Sequence, residues 1–217
     1  MKIRTSLKAI LVLAGVLFLL MYPVSSKADT FTFFNITNTV NLDLSGQLSV
    51  DVTTSGSDVS FKFFNDVGIA SSITDIYFDD GALLGISAIN DSGAGVSFHF
   101  PDHPEVLPGG NNISPAFVTT TSFSAGSNPP TMPEGVNTSL EWVEIIFSLQ
   151  TGKTFNDVIS NLKDGGLRIG LHVQAIGPDS GSDSYVDTVQ VPEPGILILL
   201  GIAMSAIGMA SWRITKI

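Results

Sequence analysis

Apolar and polar side chains alternate with a period of two through much of this chain, and that pattern commits it to β-structure before any motif is considered. In the segment 167–176, Leu167, Ile169, Leu171, Val173 and Ala175 fall on one face, while Arg168, Gly170, His172 and Gln174 fall on the other. Val59, Phe61 and Phe63 alternate with Ser60 and Lys62, and Val96, Phe98 and Phe100 with Ser97 and His99. Val143, Ile145, Phe147 and Leu149 alternate with Glu144, Ile146 and Ser148. Further runs near 31–40, 47–53, 116–123 and 184–189 bring the expected total to about nine or ten strands. The run 73–78, then Asp79, Asp80 and Gly81, then 82–86 reads as a hairpin, because an Asp-Gly pair tolerates the positive φ of a two-residue turn. Short strands so closely punctuated predict an all-β domain, a two-layer β-sandwich of jelly-roll or immunoglobulin-like type. One short helix interrupts them over 155–163. Thr154 caps it, Asp157 follows three residues later, Gly165 and Gly166 end it, and Phe155, Val158, Ile159 and Leu162 share its apolar face. The Pro- and Gly-rich stretches 101–112 and 127–135 are read as long loops.

Composition narrows the class further. The chain contains no cysteine, which excludes disulfides, thiolate metal sites and a cysteine nucleophile. Of its ten Lys and Arg residues, only Lys62, Lys153, Lys163 and Arg168 lie between 29 and 191, against nineteen of the twenty acidic residues, a formal charge of −15 for that interval. Such a region repels nucleic acid and anionic lipid. It suits a solvated extracellular domain, and it can recruit divalent cations that bridge it to acidic polysaccharide. The interval 29–190, about 160 residues, is one domain's worth and long enough to bury a sizeable core.

Candidate chemistry is sparse. His99, Asp102 and His103 offer metal donors, but Pro101 and Pro104 bracket them, so the helical face that gives an i, i+4 histidine pair its meaning is missing and a solvated loop is expected. His172 lies on the polar face of its strand and is expected to make a surface or cross-strand contact. Asp79, Asp80, Asp179 and Asp183 have oxygen donors suited to Ca²⁺, yet none stands in a complete calcium-loop spacing, and turn chemistry is the expected role. No serine stands in a GxSxG setting, and no phosphate-cradling loop occurs. Asn35, Asn90, Asn112 and Asn137 begin N-x-S/T triplets. No catalytic residue is nominated, and no enzyme is expected.

The two ends carry the functional signal. Lys2, Arg4 and Lys8 precede an apolar stretch over 9–22, Pro23 breaks it, and Ser26 and Ala28 are the small residues before a cut after Ala28. Residues 1–28 thus read as a helical secretory signal peptide. At the other end, Val191, Pro192, Glu193 and Pro194 lead into an uncharged run, 195–212, followed by Arg213 and Lys216 as a basic stop in 213–217. The run has roughly 18 residues and as a helix reaches about 27 Å, enough to cross a bilayer. Its small residues, among them Gly201, Ala203 and Gly208, suit close approach by another membrane helix. Pro192 and Pro194 hold the preceding strip extended. The basic flanks place both ends in the cytoplasm before processing, with 29–190 across the membrane.

Motif, span and basic end together closely resemble the PEP-CTERM sorting signal of Gram-negative bacteria. Segments 59–85 and 165–186 also resemble cargo regions of such proteins from environmental bacteria. The resemblance implies that exosortase, a membrane-embedded cysteine protease-transpeptidase, recognises 191–194 on an inner-membrane precursor and processes it for the cell surface or an exopolysaccharide matrix. It implies no activity for the cargo. Two other classes stay open: a carbohydrate-binding module, potentially Ca²⁺-dependent, with Tyr77, Trp142 and Tyr185 as its aromatic candidates, and a secreted hydrolase.

Overall fold

A computed structural model describes residues 28–80 and 83–188. Ten strands form the domain: β1 (Asp29–Asn35), β2 (Leu48–Ser55), β3 (Asp58–Asn65), β4 (Ser72–Asp80), β5 (Leu83–Asp91), β6 (Phe98–His99), β7 (Ser124–Ser127), β8 (Trp142–Leu149), β9 (Leu167–Ile176) and β10 (Gly181–Asp187). All neighbours are antiparallel, and the strands follow one another as β5-β8-β3-β2-β1-β10-β9-β4-β7-β6 in a single sheet. The sheet turns back on itself at β1, whose residues 29–32 pair with β2 while 33–35 pair with β10. The terminal strands β5 and β6 come close to each other, so the sheet is nearly closed into a barrel. Residues 1–27 of the segment read as a signal peptide, and the tail run 195–212, fall outside the described residues; among those described, no helix is long and apolar enough to cross a membrane.

The alternating residues turn inward as their periodicity requires. Phe31 and Phe33, Val50 and Val52, Phe61 and Phe63, Val143, Ile145 and Phe147, and Leu167, Ile169, Leu171 and Val173 are all buried in one core. At its centre Phe78 of β4 meets Phe61 of β3 and Phe147 of β8 edge to face, with centroids 5.1 and 4.7 Å apart, and Phe123 closes on Phe147 at 5.1 Å. With no disulfide available, these rings supply the cross-links between the facing halves of the sheet.

Bulges on β9 and β4 bend the alternation. On β9, Ala175 takes a positive φ of 53°, and Ile176 rather than Ala175 enters the core. On β4, the pairing with β9 slips by one residue between Ile73 and Asp75. Thr74 is the extra residue, and the slip lets Ile73, Ile76 and Phe78 all point inward while Asp75 and Tyr77 point out.

The sequence-predicted hairpin between β4 and β5 does not form. β4 pairs with β9 and β7, whereas β5 pairs with β8 on the far side of the sheet. β4 and β5 therefore lie in different halves of the sheet, and Gly81 and Ala82 lie outside the described residues. The strand expected at 116–123 is instead part of a long strap, 100–123, that crosses the outer face of β4, β9 and β10 and contains one 3-10 turn, Gly110–Asn112. Leu107 and Phe117 of the strap pack on Tyr77 and Val186. Gly170 of β9 lies beneath, where a Cβ would stand 2.8 Å from Leu107 and 3.0 Å from Phe117.

The helix α1 (Phe155–Asp164) forms as its caps dictate. Thr154 and Asp157 make a reciprocal capping box, Gly165 terminates the helix at φ 81°, and Val158, Ile159 and Leu162 join the core.

Candidate functional site

The Thr74 bulge aims Asp75 outward, and strand register then builds a row of polar side chains across four strands. His172 on β9 faces Asp75 on β4, Asp75 faces Gly126 on β7, and Gly126 faces His99 on β6. Gly126 leaves a notch in this row. The strap fills it with Asp102, whose carboxyl carbon lies 2.5 Å from where a Cβ on Gly126 would stand. Asp102 is held there through its backbone: its N–H donates to Ser124 Oγ at 3.1 Å, and Ser124 Oγ donates back to its carbonyl at 3.1 Å.

The result is a linked series of titratable groups. His172 Nδ1 lies 3.0 Å from Asp75 Oδ2, Thr74 Oγ1 donates to the same oxygen at 2.7 Å, and His99 Nε2 stands 3.6 Å from Asp102 Oδ1. Asp75 pairs across the strands with Gly126 and Asp102 fills the space beside the same glycine, so the two carboxyls are close enough to act on each other's protonation. Burial works against the charge of Asp75, but hydrogen bonds from His172 and Thr74 outweigh it and hold that carboxyl below the usual range. Asp102 moves the other way, raised by burial and then by the negative charge of Asp75. Tyr77 is pushed upward as well, by burial first and by the two carboxylates second.

These groups line a surface cleft of about 640 Å³, together with His103, Gln174, Ser127, Asn128, Thr131 and prolines of the strap and of the loop after β7. All three histidines of the chain meet here, and among the described residues no Lys or Arg does. Chemically, the cleft offers hydrogen-bond donors and acceptors and two neighbouring carboxyls of opposite pKa shift, without a fixed positive charge for an anion among the described residues. Among the described residues, no three His, Asp or Glu side chains are grouped so as to hold a metal ion.

Sequence reasoning placed His99, Asp102 and His103 on a loop and His172 on a polar strand face; the structure joins these two observations. It missed Asp75, because a bulge and the β4–β7 pairing put that residue in the row and neither leaves a signal along the chain.

The aspartates considered for Ca²⁺ are scattered. Asp183 is buried and fully engaged: it accepts from Thr37 Oγ1 at 2.7 Å, Thr39 N at 2.5 Å, Val40 N at 3.1 Å and Asn35 Nδ2 at 3.1 Å. Asp79 pairs with Arg168 and accepts from Val118 N. Asp179 is exposed in the turn between β9 and β10, and the side chain of Asp80 lies outside the described residues. Of the aromatic candidates for a saccharide platform, Tyr77 and Tyr185 are buried, and Lys62 Nζ stands 3.7 Å over the ring of Trp142. The two tyrosines thus offer no open ring face to a sugar, and one face of the Trp142 ring is covered.

Ser26, expected near the signal-peptide cut, and the tail residues Val191, Pro192, Glu193, Pro194, Arg213 and Lys216 lie outside the described residues, while Ala28 immediately precedes β1. Compared with family models, curated proteins and solved structures, the chain matches none of them.

Proposed function

We propose that this is an exported cell-surface or exopolysaccharide-matrix protein, sorted and processed through its C-terminal tail, with an exosortase-type membrane transpeptidase as its processing partner. The observation that carries this reading is the joint occurrence of Val191-Pro192-Glu193-Pro194, the uncharged run 195–212 and the basic pair Arg213 and Lys216, in a chain that also has a signal-peptide pattern over 1–28. The first segment directs translocation, the tail retains the precursor in the inner membrane, and recognition at 191–194 permits release or transfer.

The domain suits the part of cargo. β1 begins at Asp29, directly after the predicted cut, and β10 ends at Asp187, shortly ahead of Val191, so both processing positions flank the strands rather than interrupt them. We read the sheet as a two-layer sandwich in which β1 passes from one layer to the other, a reading supported by the ring contacts between β3, β8 and β4. Much of the positive charge in the domain is already engaged, with Lys163 3.5 Å from Asp29, Arg168 paired with Asp79 and Lys62 over Trp142. The acidic exterior that remains would meet matrix polysaccharide through bridging divalent cations rather than directly.

Replacing Pro192, Glu193 and Pro194 together by Ala tests the sorting step. Export is expected to continue, while the precursor accumulates in the inner-membrane fraction. An identical distribution of variant and parent among inner membrane, cell surface and medium would contradict the proposal.

A further inference from the structure

The strap 100–123 is fastened to the sheet at two places of unlike chemistry. One is the apolar contact of Leu107 and Phe117 with Tyr77 and Val186, which does not respond to protons. The other is Asp102 in the Gly126 notch, beside Asp75, the β4 residue that pairs with that glycine. Two carboxylates cannot rest there together when both are ionised, because like charges in contact at reduced dielectric repel by more than a pair of neutral hydrogen bonds returns. The neutral bonds between the Asp102 backbone and Ser124 are such a pair.

The titratable groups facing this contact come from several elements. From β9 comes His172, 3.0 Å from Asp75, from β6 His99, 3.6 Å from Asp102, and from the strap itself His103. Tyr77 on β4 stays neutral beside them, since burial and the two carboxylates oppose its ionisation. Ser127, Asn128 and Thr131 on the opposite wall carry no charge, and among the described residues no Lys or Arg lines the cleft to replace the proton. Glu105 on the strap accepts from Ser122 N, also on the strap, at 3.0 Å, which confines the movable part to the residues ahead of it.

We propose that residues 100–104 are a proton-operated latch over this cleft, closed while Asp75 and Asp102 share a proton in the Gly126 notch and released at that end, with the Leu107–Phe117 end still fixed, when both carboxylates are ionised. The cleft is then narrow in acid and open in neutral to alkaline medium. The core strands need not move, because the strap lies outside them.

The test is amide hydrogen exchange of the full-length protein in detergent, followed at the Asp102 N–H and corrected for the intrinsic dependence of exchange on pH. Between acid and alkaline conditions, protection at Asp102 is expected to fall by about tenfold relative to amides of β4 and β9. In Asp102→Asn the amide donates to the Asp75 carboxylate without a titratable proton, so protection should stay high and flat. In Gly126→Ala the notch is filled, and protection should be low throughout. Protection in the parent that does not change with pH would overturn the latch, as would a parent-like pH dependence in Asp102→Asn. Should Gly126→Ala not fold, the parent and Asp102→Asn decide the matter alone.

Discussion

Phe147→Ala is expected to lower the unfolding free energy by about 3–5 kcal/mol, the range for truncating a fully buried aromatic ring. The size follows from where the ring sits. Phe147 is fully buried on β8 and makes edge-to-face contacts with Phe61, Phe78 and Phe123, at centroid distances of 5.8, 4.7 and 5.1 Å. Phe78 and Phe123 come from the opposite half of the sheet or from the segment that leads to it, so the ring bridges the two faces of the core. Its loss leaves a cavity that the surrounding strands cannot close without shifting register, and no disulfide limits the consequence. Urea unfolding should show a lower midpoint with an unchanged slope. A midpoint within a few tenths of a molar of the parent's would mean that the rings do not form the joint described here.

Asp183→Ala is expected to cost about 3 kcal/mol, for a different reason. The carboxylate of Asp183 gathers Thr37, Thr39, Val40 and Asn35, and so folds the 36–47 loop over the end of the sheet beside β10. Alanine leaves two backbone N–H groups and two side-chain donors without their acceptor, and stranding partly buried donors costs more than the bonds contribute net. Close packing allows little relaxation: a Cβ on Gly181 would collide with Val40 of this loop. The effect has a pH signature. Burial opposes the charge of Asp183, but the combined hydrogen bonds outweigh it and depress its pKa. Its contribution is therefore present above the unfolded value of about 4 and is lost as pH falls through the lower folded value. The difference in thermal midpoint between parent and variant, roughly 6–12 °C near neutrality, should shrink on acidification below about pH 4. A difference that is constant with pH would show that the loop is held by packing and not by this carboxylate.

What could be read along the chain was what local periodicity and capping encode. The faces of β3, β8 and most of β9 follow from alternation, and α1 follows from Thr154, Asp157 and Gly165, since each signal is complete within a few residues. The failures share a cause in long-range pairing. An Asp-Gly reversal after β4 looks the same whether the chain returns beside β4 or crosses to β8, and only the occupation of both β4 edges by β9 and β7 decides between them. Ala175 carries the right side chain for the core face, but a positive φ turns Ile176 inward in its place. The polar row His172, Asp75, Asp102 and His99 depends on the order β9-β4-β7-β6, on the one-residue slip at Thr74 and on a glycine that makes room for a side chain from elsewhere. None of these is periodic. By contrast, the tail motif is contiguous, 191–194 followed by 195–212 and a basic end, and so needs no fold to be recognised.

That motif carries the account of function, and mass spectrometry of the C-terminus of mature protein collected from the cell surface or medium tests it most directly. The account predicts a polypeptide that ends at or near 191–194 and lacks the 195–217 segment. Mature extracellular protein that still runs unbroken through Trp212 to Ile217 would contradict it.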